Sequence, residues 1–236
     1  MLSKAEAIRH RIEKQDKQYW QIQDFPDLPM TTVAKTLSRL TQKGYLTRVS
    51  KGVYYRPKMT RFGQTHPSQT GVQELLKKTG VTLYPAGISA ANFLGLTTQN
   101  TPYGEFATSA SSLPLKLLGE RAKLHTRRPA NWHQLNVTEA ALLDSLRNRG
   151  IHSEFPPQET MQKILDLLNT EEHFENIMAI ATTEPPRVRA ILGAMGQTLK
   201  KDSKQLQKLK RQLNPLSRFD FGLFKELPFA EEWQAK

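Results

Sequence analysis

Apolar residues near the start of the chain recur at helical spacing twice before the pattern changes to alternation. Ile8 and Ile12 lie four apart behind Ser3 and Glu6, which stand at capping-box spacing, so the chain opens on a helix with one buried face. Tyr19-Trp20-Gln21-Ile22 is a short strand-like piece. Asp24-Phe25-Pro26-Asp27-Leu28-Pro29 has two prolines and two helix-starting aspartates, and predicts a short irregular second helix. Val33, Leu37 and Leu40 then fall at i, i+4 and i+7, one face of a helix that Thr31 or Thr32 can cap and Gly44 can end in the left-handed conformation. Tyr45 to Ser50 alternates like a strand, Lys51-Gly52 is a tight turn, and Val53 to Pro57 alternates back. Helix, glycine, strand, tight turn, strand is the order of a recognition helix followed by a wing, a winged helix-turn-helix over residues 1–62.

Lys58 to Gln73 is polar, with Gly63, Pro67 and Gly71, and a linker is expected over 63–79. From Gly80 the pattern becomes α+β. Val81 to Tyr84 is a strand, Pro85-Ala86-Gly87 a turn, and Ile88 to Leu96 a short buried helix of small residues. Further short strands are expected at 104–108 and 121–125. Helices are expected at about 138–148, 158–169, 171–181 and 185–197, the last capped by Thr183 ahead of Pro185-Pro186. Leu199, Leu206, Leu209 and Leu213 mark one stripe of a basic helix that carries Lys200, Lys201, Lys204, Lys208, Lys210 and Arg211. The expected organisation is α+β: a winged helix (1–62), a linker (63–79), an α+β domain with a helical C-terminal half (80–197), and a basic helix and tail (198–236).

Charge sharpens this picture. Residues 1–62 hold 13 basic and 5 acidic side chains, residues 63–199 hold 12 of each, and residues 200–236 hold 9 and 5. The excess positive charge therefore sits at the two ends around a neutral body. No acid occurs from 28 to 73. A small basic terminal domain suits a polyanion, because each neutralised phosphate releases condensed counterions. On the recognition helix, Thr31, Thr32, Lys35, Thr36, Ser38 and Arg39 are expected to face DNA, with Lys43 at its end. Arg48, Lys51, Tyr54 and Arg56 are expected around the wing, and Lys58 and Arg61 just beyond. A solvated face used for protein contacts is the alternative. The 199–213 helix has three readings: packing on the body with its lysines in solvent, a second phosphate-contacting surface, or a site for an acidic partner or a dimer contact.

The chain has no cysteine, so disulfides, thiolate metal sites and cysteine nucleophiles are excluded. It has no apolar run of about 18 residues and no charged-then-apolar leader, so a cytoplasmic protein without membrane contact is expected. Catalytic patterns are weak. Asp220-Phe221-Gly222 spells a kinase metal-binding triplet, but without the Gly-rich loop, strand lysine or His-Arg-Asp loop that would go with it, so a packing turn with Phe219, Phe221 and Phe224 buried is expected. Glu171-Glu172-His173 reads as a helix start rather than a metal site, since no two of the 6 histidines stand at helical ligand spacing. Ser109, Ser111 and Ser112 form a polar loop without nucleophile-elbow glycines. No cofactor, metal or enzymatic activity is expected.

Several motifs are shared with a known family. Val33-Ala34-Lys35-Thr36-Leu37-Ser38-Arg39-Leu40, Lys43-Gly44-Tyr45-Leu46 and Lys51-Gly52-Val53-Tyr54-Tyr55-Arg56-Pro57 resemble the winged helix of abortive-infection type IV antitoxins. Arg61-Phe62-Gly63, the block Pro85 to Gln99 with its Ala-Gly and Leu-Gly-Leu-Thr-Thr-Gln, and Glu184 to Gly193 are similar to that family's later parts. The basic stretch 200–213 and the tail fall outside the likeness. The resemblance implies a repressor of its own operon that binds inverted repeats in double-stranded DNA, as a dimer on the site, and antagonises a nucleotidyltransferase toxin encoded beside it. Two other classes compete: a neutraliser whose winged helix never meets DNA, and a plasmid replication initiator, which would need a second winged helix downstream.

Overall fold

In the computed structural model, which describes residues 3–61, 63–65, 71, 75–76, 81–111, 113, 118, 121–170 and 172–236, helices are combined with short sheets in an α+β arrangement. The chain divides into two units, Met1–Gly80 with Ser112–Ala122, and Val81–Ser111 with Lys123–Lys236.

In the first unit, local chemistry sets each boundary. Helix α1 (Lys4–Lys14) is closed at its start by the capping box: the Ser3 hydroxyl accepts from the Glu6 amide at 3.2 Å and the Glu6 carboxylate accepts from the Ser3 amide at 2.7 Å. Ile8 and Ile12 are fully buried. Strand β1 (Tyr19–Gln21) leads into a 3-10 turn, Ile22–Asp24, where the irregular second helix was expected further along. Trp20 stacks on Phe25 there, ring centroids 5.5 Å apart. Helix α2 (Met30–Gln42) begins after Pro29 with no side-chain cap, so neither Thr31 nor Thr32 caps it; both lie within it. Its end matches expectation. Gly44 stands at φ +71°, its amide donates to Thr41 O, and the Tyr45 amide donates to Leu40 O at 2.9 Å, which satisfies two terminal carbonyls.

Strands β2 (Thr47–Ser50) and β3 (Val53–Tyr55) form an antiparallel hairpin across Lys51-Gly52, with Gly52 at φ +75°. β1 adds to the other side of β3, giving the order β1-β3-β2. The core of this unit joins Ile8, Ile12, Trp20, Phe25, Val33, Leu37, Leu40, Leu46 and Tyr54. A second small hairpin, β4 (Met59–Thr60) and β5 (Gly63–Gln64), spans the expected boundary between the winged helix and the linker. Leu75 and Leu76 are buried, and the remainder of 63–79 lies largely outside the described residues, as does Phe62.

In the second unit a three-stranded sheet, β6 (Tyr84–Pro85), β7 (Glu105–Ala107) and β8 (Lys123–His125), pairs β6 antiparallel and β8 parallel to the central β7. Among the described residues, α3 (Gly87–Phe93) is followed by the α-helices α4 (Val137–Arg147), α5 (Pro157–Asn169), α6 (His173–Ile180), α7 (Pro186–Thr198) and α8 (Ser203–Arg211). Helix α7 is buried along most of its length, and Pro185 precedes it with no side-chain cap. Thr183, expected as that cap, instead donates to Ile180 O at 2.8 Å. The leucine stripe does not run as one helix from Leu199. The chain turns at Lys200 (φ +54°), and α8 restarts with Asp202 accepting from the Lys204 amide.

Residues 198–236 are not a separate appendage. Leu206, Leu209, Leu213, Phe221, Phe224, Leu227, Ala230 and Trp233 join the core of the second unit. Asp220-Phe221-Gly222 is a packing turn: Phe221 and Phe224 are buried, Phe219 is partly so, and Asp220 pairs with Arg149. Gly222 is at φ +58°, where a Cβ would lie 2.5 Å from the Arg149 Cβ.

Candidate nucleic-acid interface

The α2 helix spans 13 residues, roughly 20 Å at 1.5 Å per residue. Val33, Leu37 and Leu40 turn into the core, which leaves the opposite ridge, Thr31, Lys35, Ser38 and Gln42 at i, i+4, i+7 and i+11, in solvent. Arg39 and Lys43 flank that ridge and are exposed. The β2–β3 hairpin presents Arg48 and Lys51, also exposed, and Arg48 Nε donates weakly to Ser50 O at 3.4 Å.

The described acids of this unit are sorted away from these cations. Glu6 is held by the capping box. Glu13 accepts from Arg9 at 2.9 Å and from the Tyr45 hydroxyl at 3.0 Å, and Asp27 takes a bidentate pair from Arg11 at 2.7 and 2.8 Å. Asp16 pairs with Lys58, and Asp24 with Lys17. Hydrogen bonds from Arg9, Lys58 and Arg11 hold the Glu13, Asp16 and Asp27 carboxyls below the usual carboxylate range, so these acids stay ionised and engaged at neutral pH. Lys35, Arg39, Lys43, Arg48, Lys51 and Arg61 form no ion pair among the described residues. A basic surface whose counter-charges are fixed elsewhere is suited to an external polyanion.

The expected residues do not all share that surface. Thr31, Lys35, Ser38, Arg39, Lys43, Arg48, Lys51, Lys58 and Arg61 are exposed, and Thr32 and Arg56 are half-buried. Thr36 and Tyr54 are a correction. Both were expected to face outward, and both are buried, at 7% and 6% exposure. Thr36 sits three residues after Val33 and four before Leu40, on the apolar stripe. Tyr54 lies on β3, the middle strand of the sheet, and joins the core. Arg56 is turned inward, donating to Ile12 O at 2.5 Å and Glu13 O at 3.2 Å at the end of α1, with its guanidinium 5.9 Å from the Tyr45 ring centroid. It therefore ties α1 to the strand rather than offering charge to a ligand, and Lys58 is committed to Asp16. Gln42 was missed. It continues the ridge by one further turn, and extending the i, i+4, i+7 count to i+11 would have found it.

The buried carboxylates of the second unit are engaged in structure. Asp144 is buried and accepts from the Gly87 amide, Arg128 and Asn148, at 2.7, 2.7 and 2.9 Å. Glu184 is buried and accepts from the Trp132 indole and Arg147, each at 2.7 Å. Burial pushes the Glu105 carboxyl up, but hydrogen bonds from Lys123 and His125, with the Lys123 charge, outweigh that and hold it below the usual range. His173 faces Glu139 at 3.1 Å, Glu171 lies outside the described residues, and no group of three metal-ligating side chains occurs among the described residues. No helix among the described residues is long and apolar enough to cross a membrane.

A family described as being of unknown function, DUF6088, matches residues 7–177. Among solved structures, the chain is similar to the crystal structure of the RV2827C protein from Mycobacterium tuberculosis, with 14% sequence identity and a TM-score of 0.48 over 90% of this chain and 82% of that one. No curated protein matches.

Proposed function

We propose that this chain, which belongs to the DUF6088 family of unknown function, binds double-stranded DNA through its first unit, with α2 in the major groove and the β2–β3 hairpin against the backbone. The unit's element order and its glycine-closed α2 support reading it as a winged helix. The observation that carries the proposal is the charge map: every acid of residues 1–62 is engaged by a neighbouring cation or cap, while the cations of α2 and the hairpin are left unpaired among the described residues. A major groove about 12 Å wide admits a helix, and Lys35, Ser38, Arg39 and Gln42 are side chains that reach base edges there.

Two substitutions separate the roles. Arg39→Ala is expected to cost about 1–3 kcal/mol on a preferred sequence and much less on unrelated duplexes. An equal loss on every duplex would make Arg39 a phosphate contact. Lys51→Ala is expected to weaken binding evenly and to lower the slope of log affinity against log salt by about 1. An unchanged slope would remove the hairpin from the interface. One helix covers few base pairs, so useful specificity implies two copies on symmetric half-sites.

The resemblance to type IV antitoxins extends the proposal to repression of the chain's own operon and antagonism of a nucleotidyltransferase toxin. Co-expression with the neighbouring reading frame tests that part: rescue of growth supports it, and unrelieved or absent toxicity removes it.

A further inference from the structure

Helix α8 carries a second cationic ridge, on the other unit. Leu206 and Leu209 are buried, followed by Leu213 just beyond the helix. Lys204, Lys208 and Arg211 lie at i, i+4 and i+7 on the opposite side, and all three are exposed. None of them forms an ion pair among the described residues, and α8 contains no acid. Asp202 is occupied as the N-cap, and Glu232 accepts from Gln197 at 3.0 Å. Glu175 borders the groove beside Lys208 without pairing with it.

Such a ridge is unfavourable for an isolated helix, since like charges at i, i+3 and i, i+4 repel by a few tenths of a kcal/mol per pair. A face kept only for solubility gains by mixing signs. The neighbours of the ridge are Ser203, Gln205, Gln207 and Gln212, all exposed, and these amide and hydroxyl groups also donate to phosphate oxygens. No exposed apolar side chain lies on α8 to anchor a protein partner, and interfaces between proteins are depleted in lysine.

We propose that the Lys204–Lys208–Arg211 ridge of α8 is a second contact for the phosphate backbone of DNA, independent of sequence and separate from α2. It does not require α2 to read bases.

The test uses the full chain with Lys204, Lys208 and Arg211 all replaced by Ala, and titrates a duplex of unrelated sequence over a range of salt. Neutralising three phosphates predicts that the slope of log affinity against log salt falls by about 2–3, with the preference among sequences unchanged. The corresponding triple glutamine variant should behave the same way, which separates charge from helix propensity. Arg39→Ala/Lys51→Ala protein should keep salt-dependent binding that disappears once the α8 substitutions are added. If the chain shows no sequence preference and the α8 variant still loses slope, the α2 reading fails while this one stands. An unchanged slope in the triple variant overturns the proposal. So does ridge-dependent binding of polyglutamate, or of vesicles rich in anionic lipid, without a change in DNA affinity.

Discussion

Trp233→Ala is expected to destabilise the second unit by about 3–5 kcal/mol, the loss typical of deleting a large buried aromatic side chain. Trp233 is 1% exposed although it stands three residues from the last residue of the sequence. Its ring lies over Gly193 in the middle of α7, so closely that a Cβ on Gly193 would sit 2.1 Å from a ring carbon. Its indole donates to Gln197 at 2.7 Å, one turn further along α7, and the Lys210 ammonium lies 5.3 Å from the ring centroid. The substitution therefore removes ring contacts, a hydrogen bond and a cation–π partner together. Urea unfolding followed by fluorescence is the measurement, because Trp132 remains as a reporter in the second unit and Trp20 in the first. Gly193→Ala should also destabilise, and the double variant should lose less than the two single losses combined, since both act on one contact. A loss below about 1 kcal/mol for Trp233→Ala would show that the tail does not pack on α7.

Glu184→Ala is expected to cost a similar amount, about 3–5 kcal/mol, for a different reason. The Glu184 side chain is fully buried and accepts from the Trp132 indole through one oxygen and from Arg147 through the other. Removing it leaves the Arg147 guanidinium, only 15% exposed, without its counter-charge, and orphans the indole N–H. Glu184→Gln should lose less, because an amide oxygen can still accept from one donor. The same urea titration decides: a Gln variant as unstable as the Ala variant would contradict this division between charge and hydrogen bond. The Glu-Pro-Pro-Arg segment thus has a structural role, with the carboxylate buried, the prolines starting α7, and Arg187 donating to Arg147 O at 2.9 Å.

Local signals in the sequence proved readable, and distant ones did not. The Ser3–Glu6 cap, the Val33-Leu37-Leu40 stripe, the glycine at the end of α2 and the Lys51-Gly52 turn depend on residues within one or two turns of each other, and each takes its expected place. Thr36 misled because a hydroxyl counts as polar by type, while its position three and four residues from Val33 and Leu40 puts it on the buried stripe. Tyr54 misled because alternation assumes one wet face, and all three residues of the central strand β3 are buried. The tail was opaque for another reason. Phe221, Phe224, Leu227 and Trp233 follow neither a helical nor a strand period, since Phe224 and Trp233 sit on 3-10 turns at Gly222–Glu226 and Glu231–Trp233 and Phe221 and Leu227 flank the first of these. What organises them is remote: the first turn packs against α5 and the second against α7, whose Gln197 is 36 residues away from Trp233. Buried carboxylates such as Asp144 and Glu184 were equally invisible, because their partners come from remote segments.

The measurement that bears most directly on DNA recognition is a footprint of the full chain on the sequence upstream of its own reading frame, at near-physiological salt. Two protected half-sites about one helical turn apart are expected, and Arg39→Ala should abolish them while weak, salt-sensitive association persists. Absence of any protection at concentrations that saturate unrelated duplex, or protection indifferent to Arg39, would contradict a sequence-reading α2.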